Sequence, residues 1–247
     1  MTIDRPTRRA IGTVIAVVLA SLALDRLLGP FRVGTRDDEI AWEAGDVVAL
    51  PTPRDGDDVS VEGAIADRRS RREYADAPLE LSELGQLCWA AQGITDQGTD
   101  ARAAPSAGAL YPLELYVVVG EPGVTGLKSG VYRYRPATHD LARGENDVSQ
   151  SDLKEAAVDQ DHVEDAPVDL VIAAVDTRTT GTYGQRGRSR YVPMEAGHAS
   201  ENVYLQAEAL GLATVTVGAF ADDRVLDVLG ADPDQRPLYI LPVGHRP

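Results

Sequence analysis

Four arginines and one serine occupy the five consecutive positions from Arg68 to Arg72. The chain around them is acidic, with 39 Asp and Glu against 24 Lys and Arg and a formal net charge of -15. A guanidinium group binds a phosphate with two parallel hydrogen bonds, and a serine hydroxyl adds a neutral donor. The cluster therefore predicts a site for a compact dianion such as a nucleotide phosphate. The alternative is the solvated end of a helix, neutralised by Asp67 and Glu73.

A second candidate is Ser106, within the segment Ala104-Pro-Ser-Ala-Gly108. The segment resembles the nucleophile elbow of a serine hydrolase, and Asp176 and His245 follow in the chain order of such a triad. However, alanine replaces the first glycine of the elbow, and the segment precedes a predicted strand instead of joining a strand to a helix. A serine hydrolase that uses Ser106 and His245 is the weaker reading.

Two further residues have chemically active side chains, His198 and Cys88. His198 has no second histidine or cysteine at ligand spacing, so we predict a hydrogen-bonded core histidine and no metal site. Cys88 lies in the apolar run Leu87–Ala91 and is predicted to be a buried, inert thiol. A single cysteine also excludes an intramolecular disulfide.

The acidic composition indicates which classes of binding partner to expect. With a pI near 4.6, the protein lacks the spread of basic residues that binds phosphate backbones, so we expect no nucleic-acid partner. The only lysines are Lys128 and Lys154, a composition that resembles proteins of salt-loving organisms.

The amino-terminal region divides into two predicted parts. Residues 10–24 are uncharged and mainly apolar, and Leu27 and Leu28 extend the run to the length of a membrane span. We therefore interpret residues 1–33 as a hydrophobic anchor or export signal, with membrane association through residues 10–28. The alternatives are a buried core helix and a cytoplasmic protein. Residues 34–59 are rich in Asp, Pro and Gly and are interpreted as a linker or arm.

Residues 60–247 are predicted to form one α+β domain in which helices flank a central, mainly antiparallel sheet. Ser60 is predicted to cap a short helix that carries the arginine cluster at its carboxyl end, and Ser82 to open a second helix that ends at Gly93. Residues 176–190 are interpreted as a polar loop. Strands are predicted at 113–119, 130–135, 140–141, 169–175, 213–217 and 238–243, and a short helix at 222–229.

The principal predicted helix runs from Met194 to Leu210. Ala196, Ser200, Val203 and Ala207 recur along it at steps of three and four and form a face of small residues. Small faces pack closely, so we expect this face to contact a second subunit in a homodimer.

Three motifs together resemble the nitroreductase superfamily, and within it the SagB/ThcOx-type dehydrogenase branch. They are Arg-Arg-Ser-x-Arg at 68–72, Pro-Ser-Ala-Gly-x-Leu-Tyr-Pro at 105–112, and Glu-Ala-Gly-His-Ala-x-x-Asn at 195–202. The resemblance covers roughly residues 59–247. It implies an oxidoreductase that binds FMN and transfers hydride or electrons through flavin N5, with NAD(P)H as a candidate electron donor.

The resemblance also implies roles for individual residues. It assigns Arg68, Arg69, Ser70 and Arg72 to the FMN phosphate, ribityl chain and pyrimidine edge. Pro105, Ser106 and Gly108 would meet the flavin from the second subunit of an entwined homodimer. The remaining implied contacts are backbone N–H groups of Gly218 and Ala219 near N5, and Gly244 with Arg246 on the phosphate side.

One position departs from the pattern of the branch. Members that oxidise azolines have a Lys-Tyr pair before the long helix, whereas this sequence has Thr182-Tyr183. Tyr183 remains the candidate proton donor or acceptor, but its ordinary pKa of about 10 makes it a weak base without a neighbouring lysine. We therefore expect a reductase-like enzyme acting on a small molecule or peptide. The alternative is a membrane-anchored flavin-binding module without catalysis.

Overall fold

The computed structural model describes residues 45–56, 58–145 and 149–247. Its centre is a seven-stranded sheet in the order β1-β6-β5-β4-β7-β9-β8, in which each neighbouring pair is antiparallel. The strands are β1 Val47–Ala49, β4 Leu113–Val119, β5 Gly130–Arg135, β6 Asp140–Arg143, β7 Val168–Ala174, β8 Leu212–Thr214 and β9 Arg236–His245. A separate two-stranded ribbon pairs β2 Ile94–Asp96 with β3 Ala101–Arg102. The predicted antiparallel α+β architecture is confirmed.

Seven helices of the described residues pack against the two faces of the sheet or line its edges. They are α1 Val61–Asp67, α2 Leu81–Gln92, α3 Gln150–Ala156, α4 Asp161–Glu164, α5 Asp176–Tyr183, α6 Val192–Ala209 and α7 Asp222–Leu229. Alternation along β4 shows the layering, because Leu115 and Val117 join the core with α2 and α6, while Tyr116 and Val118 join the core with α3 and α7. The central strands are therefore buried on both sides.

Local signals explain where several elements begin and end. The Ser60 hydroxyl accepts a hydrogen bond from the Gly63 N–H and caps α1 as predicted. Helix α2 begins one residue before Ser82, because a capping box between Glu80 and Glu83 fixes its start, and it ends at Gly93 as predicted.

Two regions differ from the sequence interpretation. Residues 47–50 are not part of a linker, since β1 pairs with β6 and Leu50 is buried in the core. Residues 176–190 are not a loop, since they form α5 and then part of a π-helical turn, Gly187–Tyr191, that runs into α6. A three-residue strand and a helix made mainly of polar residues both lack the apolar periodicity on which prediction depends.

The small-residue face of α6 also has a different partner from the one predicted. Ala196, Ser200, Val203 and Ala207 are all buried within this chain, against the sheet and α2. The face cannot contact a second subunit, because it already forms part of the core.

No helix within the described ranges combines the length and apolar character needed to cross a bilayer. The segment 10–28, on which the membrane prediction depends, lies outside the described residues.

Replacing Ala207 by leucine tests the position of the small-residue face. Because Ala207 is only 1% exposed, the extra methyl groups should overpack the core and lower the free energy of unfolding by about 1–3 kcal/mol. Urea denaturation should show this loss, while Ala137→Leu, at an exposed position in the turn between β5 and β6, should change stability little. Unchanged stability of Ala207→Leu, together with loss of subunit association, would instead place the face at an interface.

Candidate functional site

The arginine cluster lies just beyond the carboxyl end of α1. The chain leaves the helix at Arg68, and the backbone N–H of Arg71 donates to the carbonyl oxygen of Thr214 at 2.9 Å. This bond fixes the segment beside the end of β8. The short helix and the edge strand therefore hold the five residues in an irregular stretch whose side chains are partly or fully exposed.

The guanidinium groups of the cluster are poorly neutralised within the described residues. The Arg68 guanidinium lies 5.1 Å from the ring centre of Tyr204, and its nearest carboxylate, that of Glu201, is 3.9 Å away. Arg69 donates only to the backbone carbonyl groups of Ala66 and Arg68. Arg72 is exposed and forms no ion pair with any residue that the structure describes. In so acidic a protein, this weak neutralisation distinguishes the cluster from an ordinary solvated helix end.

Tyr204 joins the cluster to the segment that follows β8. Its hydroxyl accepts a hydrogen bond from the Thr216 N–H at 2.7 Å and lies 3.0 Å from the Ser70 hydroxyl. Either hydroxyl can donate in this pair, and when Tyr204 donates to Ser70 the serine proton is left for a ligand. Sequence reasoning missed Tyr204, because a tyrosine on a helix has no local signal that separates this role from core packing.

Gly244 and Arg246, at the end of β9, have different roles beside the cluster. Arg246 is ion-paired with Glu208 at 2.7 Å, and the same carboxylate lies 3.8 Å from Arg71. Gly244 is buried, and a Cβ atom there would lie 2.8 Å from Pro167 and 3.0 Å from Tyr74. Gly244 therefore permits close packing of the chain, while Arg246 belongs to the cluster but has its charge already paired.

Gly218 and Ala219 lie on an exposed loop between β8 and α7. The loop begins at Thr216, the residue held by Tyr204, and the Gln160 side chain donates to the carbonyl oxygen of Ala219 at 3.0 Å. The structure therefore connects this loop to the arginine cluster through Tyr204.

The segment Pro105–Gly108 forms a tight loop beside Tyr183. The Ser106 hydroxyl oxygen accepts a hydrogen bond from the Tyr111 N–H at 2.9 Å, and Gly108 has a φ of 66°. A Cβ atom at Gly108 would lie 2.9 Å from the Tyr183 hydroxyl oxygen, so the loop needs glycine both for its backbone conformation and for this close approach. The Tyr183 ring packs edge-on against Tyr191, with ring centres 5.0 Å apart.

Glu195 holds this loop from the start of α6. One oxygen of its carboxyl group accepts a hydrogen bond from the Ala107 N–H at 2.9 Å, and the side chain is only 4% exposed. Burial raises the pKa of Glu195, while the bonds from Ala107 and Ser106 act in the opposite direction. Sequence reasoning missed this role, although a glutamate within a run of buried helical positions was a usable signal.

The two groups of residues lie on opposite sides of α6. Glu195, which holds the Pro105–Gly108 loop, and Tyr204, which contacts Arg68 and Ser70, are separated by about 14 Å along the helix and by about 180° around it. The loop and the arginine cluster are therefore held by opposite sides of the same helix.

The residues of the predicted hydrolase triad have separate partners. Ser106 bonds with Tyr111, Asp176 binds the guanidinium of Arg236 at 2.8 and 2.9 Å, and His245 lies 3.5 Å from Glu83. The structure therefore gives the triad reading no support.

The two remaining candidate residues are His198 and Cys88. His198 is exposed, so the prediction of a core histidine is wrong, because its position on α6 points away from the sheet. Cys88 is fully buried as predicted, and burial raises its pKa. Across residues 45–56, 58–145 and 149–247, no group of three or more His, Cys, Asp or Glu side chains is placed to hold a metal ion.

A groove of about 420 Å³ lies apart from the arginine cluster. Its walls come from residues 54–56 and 59–60 and from α1, α2 and α6, with Trp89, Leu205 and Ala209 among its apolar residues. On its rim, Val59 and Val61 are 40% and 67% exposed. The groove and its rim form an apolar surface on the outer side of α6.

Comparisons with known proteins agree on one family. The family model described as Nitroreductase family matches residues 65–245. A protein of Methanocaldococcus jannaschii, provisionally named a nitroreductase, is 43% identical over 202 residues, which are 82% of this chain and 98% of that protein.

Solved structures show the same fold. A provisionally assigned nitroreductase from Ralstonia eutropha JMP134 superimposes with a TM-score of 0.72 at 28% identity, over 82% of this chain and 90% of that chain. The Escherichia coli microcin synthetase McbBCD complex, with truncated pro-MccB17 bound, has a TM-score of 0.63 at 22% identity, over 83% of this chain and 79% of that chain. At that identity the likeness shows the fold alone.

Glu195→Gln tests the burial of the carboxyl group. Because the pKa of Glu195 is raised in the folded protein, the folded state binds this proton more tightly than the unfolded chain does. The contribution of Glu195 to stability should be complete below pH 4.5, its ordinary pKa, and should be lost as the pH rises through the raised pKa.

Urea denaturation at pH 4.5 and pH 8 measures the difference in the free energy of unfolding between wild type and Glu195→Gln. Glu195→Gln cannot ionise at this position, so the stability of the variant relative to wild type should increase between these two pH values. A difference that stays constant, or that changes in the opposite direction, would contradict the assigned environment of Glu195.

Proposed function

Because this chain belongs to the nitroreductase family, we propose that it is an FMN-dependent oxidoreductase whose arginine cluster holds the flavin phosphate. The observation that carries the proposal is the set of poorly neutralised guanidinium groups beside Ser70 in a chain of net charge -15. An acidic protein that keeps four such arginines with only two carboxylates of the described residues near them, those of Glu201 at 3.9 Å and Glu208 at 3.8 Å, is suited to bind an anion.

The chemistry of the cluster fits a phosphate monoester. Such a group carries close to two negative charges at neutral pH and three acceptor oxygens. Arg68 and Arg72 would supply charged donors, and the Ser70 hydroxyl would supply a neutral one. Arg69 is exposed at the edge of the cluster and would contribute mainly charge. Arg246 would support the cluster through Glu208 instead of meeting the phosphate itself.

When bound, FMN would supply the hydride-transfer chemistry, and the protein would supply binding and orientation. The exposed backbone of Gly218 and Ala219 is suited to approach a flat ring system closely, since neither residue has a large side chain. Tyr204 would fix this loop relative to the phosphate site, because it contacts both Ser70 and Thr216. The two ends of one cofactor would thus be positioned by a single tyrosine.

Tyr183 is the group that we propose to donate a proton from its hydroxyl. Its ring is held by Tyr191, and its hydroxyl lies against the Pro105–Gly108 loop. The preceding residue, Thr182, is exposed and has no basic side chain. Oxidation of an azoline requires a base on the protein that removes a proton from carbon. Reduction of a quinone or nitro compound by hydride requires only a proton donor. The pair therefore favours reduction of a small electron acceptor over oxidation of an azoline.

The proposed enzyme is a homodimer in which each flavin-binding site is completed by residues of the other chain. Within one chain, the arginine cluster and the Pro105–Gly108 loop lie on opposite sides of α6. A second copy could place its loop beside the first cluster. The surface that we propose to join the copies is the groove together with Val61 and Ile65, which lie four residues apart on α1 and are 67% and 59% exposed.

Single alanine substitutions test the phosphate site. A hydrogen bond to a charged group contributes about 1.5–3 kcal/mol, so Arg68→Ala and Arg72→Ala should each weaken FMN binding by roughly tenfold to a hundredfold. Quenching of flavin fluorescence on titration with apoprotein measures the affinity. Arg224→Ala is the matched control, because Arg224 is an exposed arginine on α7 paired with Glu155. Wild-type affinity in both cluster variants would remove the assignment.

Two valines of equal exposure test the dimer surface. Val61 and Val158 are both 67% exposed, but only Val61 borders the groove. Val61→Glu should convert the dimer to a monomer, because it would bury a carboxylate in an apolar interface, whereas Val158→Glu should leave the dimer intact. Light scattering coupled to size-exclusion chromatography gives both masses. A dimer that survives Val61→Glu would require a different surface.

A further inference from the structure

Three exposed arginines follow Tyr183 in the segment that leads into α6. Arg186, Arg188 and Arg190 alternate with a glycine and a serine at the start of the π-helical turn and along it. The proposed flavin site does not use them. Three guanidinium groups within five residues form a local exception in a protein with 39 acidic residues.

Arg186 and Arg190 project from the same side of this turn. The backbone from Arg186 to Val192 is helical, and side chains four residues apart on a helix are neighbours. Arg188 lies two residues from each of them, a spacing at which helical side chains do not face one another. Its Nε lies 3.2 Å from the Asp176 carboxylate. One arginine is therefore paired with an acidic residue, while the other two lie side by side.

Arg186 is held beside the proposed proton donor. Its Nε donates to the Tyr191 hydroxyl at 3.0 Å, and its guanidinium carbon lies 5.8 Å from the centre of the same ring. Tyr191 in turn packs edge-on against Tyr183, with ring centres 5.0 Å apart. The Arg186 guanidinium and the Tyr183 ring centre are therefore separated by no more than these two distances combined.

Both guanidinium groups keep donors for a ligand. A guanidinium has five N–H groups, and the Tyr191 hydroxyl takes one of those of Arg186. The Arg190 side chain forms no ion pair or hydrogen bond with any residue in the part of the chain that the structure describes. The nearby Asp176 carboxylate already accepts two hydrogen bonds from Arg236, at 2.8 and 2.9 Å. The two arginines therefore leave an excess of positive charge at this surface.

The turn that carries the two arginines is firmly supported. Gly187 is buried, and a Cβ atom there would lie 2.8 Å from the Thr179 methyl group, so the turn packs directly onto α5. Helix α5 also carries Tyr183 at its end. Short π-helical insertions occur frequently at functional sites. The proton donor and the arginines therefore have a common support, which keeps them at a fixed separation.

We propose that Arg186 and Arg190 bind a carboxylate group of the electron acceptor, so that the enzyme selects small anionic acceptors. A carboxylate matches the planar fork of a guanidinium group through paired hydrogen bonds. The Tyr183 hydroxyl would then donate its proton at the reducible end of the acceptor, while the turn holds the charged end. Two guanidinium groups on one turn suit a single carboxylate better than an acidic polymer, which binds to an extended basic face. The inference rests on the proposed function for the role of Tyr183, but the carboxylate site is tested without turnover.

Calorimetric titration of the full chain with 4-nitrobenzoate, and with the uncharged 4-nitrobenzamide as the matched ligand, measures the contribution of the carboxylate. Wild-type protein should bind 4-nitrobenzoate roughly tenfold more tightly, because hydrogen bonds to a charged group are the stronger ones. Arg186→Ala and Arg190→Ala should each remove most of that preference. Arg224→Ala removes an equal charge from the exposed surface of α7 and should preserve it. Equal affinity for the two ligands, or a preference that survives both turn variants, would overturn the proposal.

Steady-state kinetics of the flavin-loaded protein tests whether the carboxylate binds at the acceptor site. Arg190→Ala should lower the ratio of kcat/KM for 4-nitrobenzoate to that for 4-nitrobenzamide by about tenfold, through a higher KM for the acid. Tyr183→Phe should instead lower kcat for both compounds and leave the ratio unchanged. A ratio that Arg190→Ala does not change would refute the inference, because the carboxylate would then bind away from the reacting acceptor.

A competitor and the two assays together separate the possible failures. Sodium acetate that displaces 4-nitrobenzoate at equal concentration would show a simple anion site and would overturn the assignment to the acceptor. A protein that shows the calorimetric preference but reduces neither compound refutes the proposed function alone. A protein that reduces both compounds with equal kcat/KM and shows no calorimetric preference refutes this inference alone.

Discussion

The hydroxyl group of Tyr204 joins the parts of the molecule on which the account depends. It accepts a hydrogen bond from Thr216 and lies within hydrogen-bond distance of Ser70, while the Arg68 guanidinium lies over its ring. Two segments that are distant in sequence, the arginine cluster and the loop after β8, are therefore positioned by one side chain. That side chain belongs to α6, which is anchored in the core by its small residues. The rigidity of the core is thus transmitted to an irregular surface segment that would otherwise have no fixed geometry.

Helix α6 also underlies the proposal that one chain alone forms an incomplete site. It carries Tyr204 on one side and Glu195 on the other, so it positions two different loops that face away from each other. A buried glutamate is costly unless its oxygens are hydrogen-bonded, and the Ala107 N–H and the Ser106 hydroxyl supply those bonds. The same interaction that satisfies Glu195 fixes the Pro105–Gly108 loop against Tyr183. The proposed completion of the site by a second copy rests on this opposite placement.

The sequence predicted those features that depend on local chemistry. The Ser60 cap and the Gly93 helix end were predictable because capping uses residues within one turn. The β5–β6 hairpin and the buried strand β7 were predictable from apolar patterns. The arginine cluster was recognisable because its charge opposes that of the whole chain. The weak neutralisation of its charges was not predictable, since that depends on which distant carboxylates the fold brings near.

The errors have a common physical origin. The small-residue face of α6 was assigned to a second subunit because its spacing shows close packing but not the identity of the packing partner. His198 was assigned to the core because no second metal ligand lies at a suitable spacing, and that absence does not state which side of the helix faces the sheet. Tyr204 and Glu195 were missed because their partners Ser70 and Ala107 are distant in sequence. The helix within residues 176–190 was not predicted, because most of its side chains are polar.

Complementation between two defective chains tests the central claim most directly. Arg68→Ala damages the proposed phosphate cluster, and Gly108→Leu damages the loop that the other copy would supply. If each site combines the cluster of one chain with the loop of the other, a heterodimer of the two variants has one intact site and one doubly altered site. Co-expressed, separately tagged chains should then bind FMN at about half the wild-type stoichiometry, while each variant alone binds it weakly. Weak binding by the purified heterodimer would contradict the account, because it would mean that both groups act within the same chain.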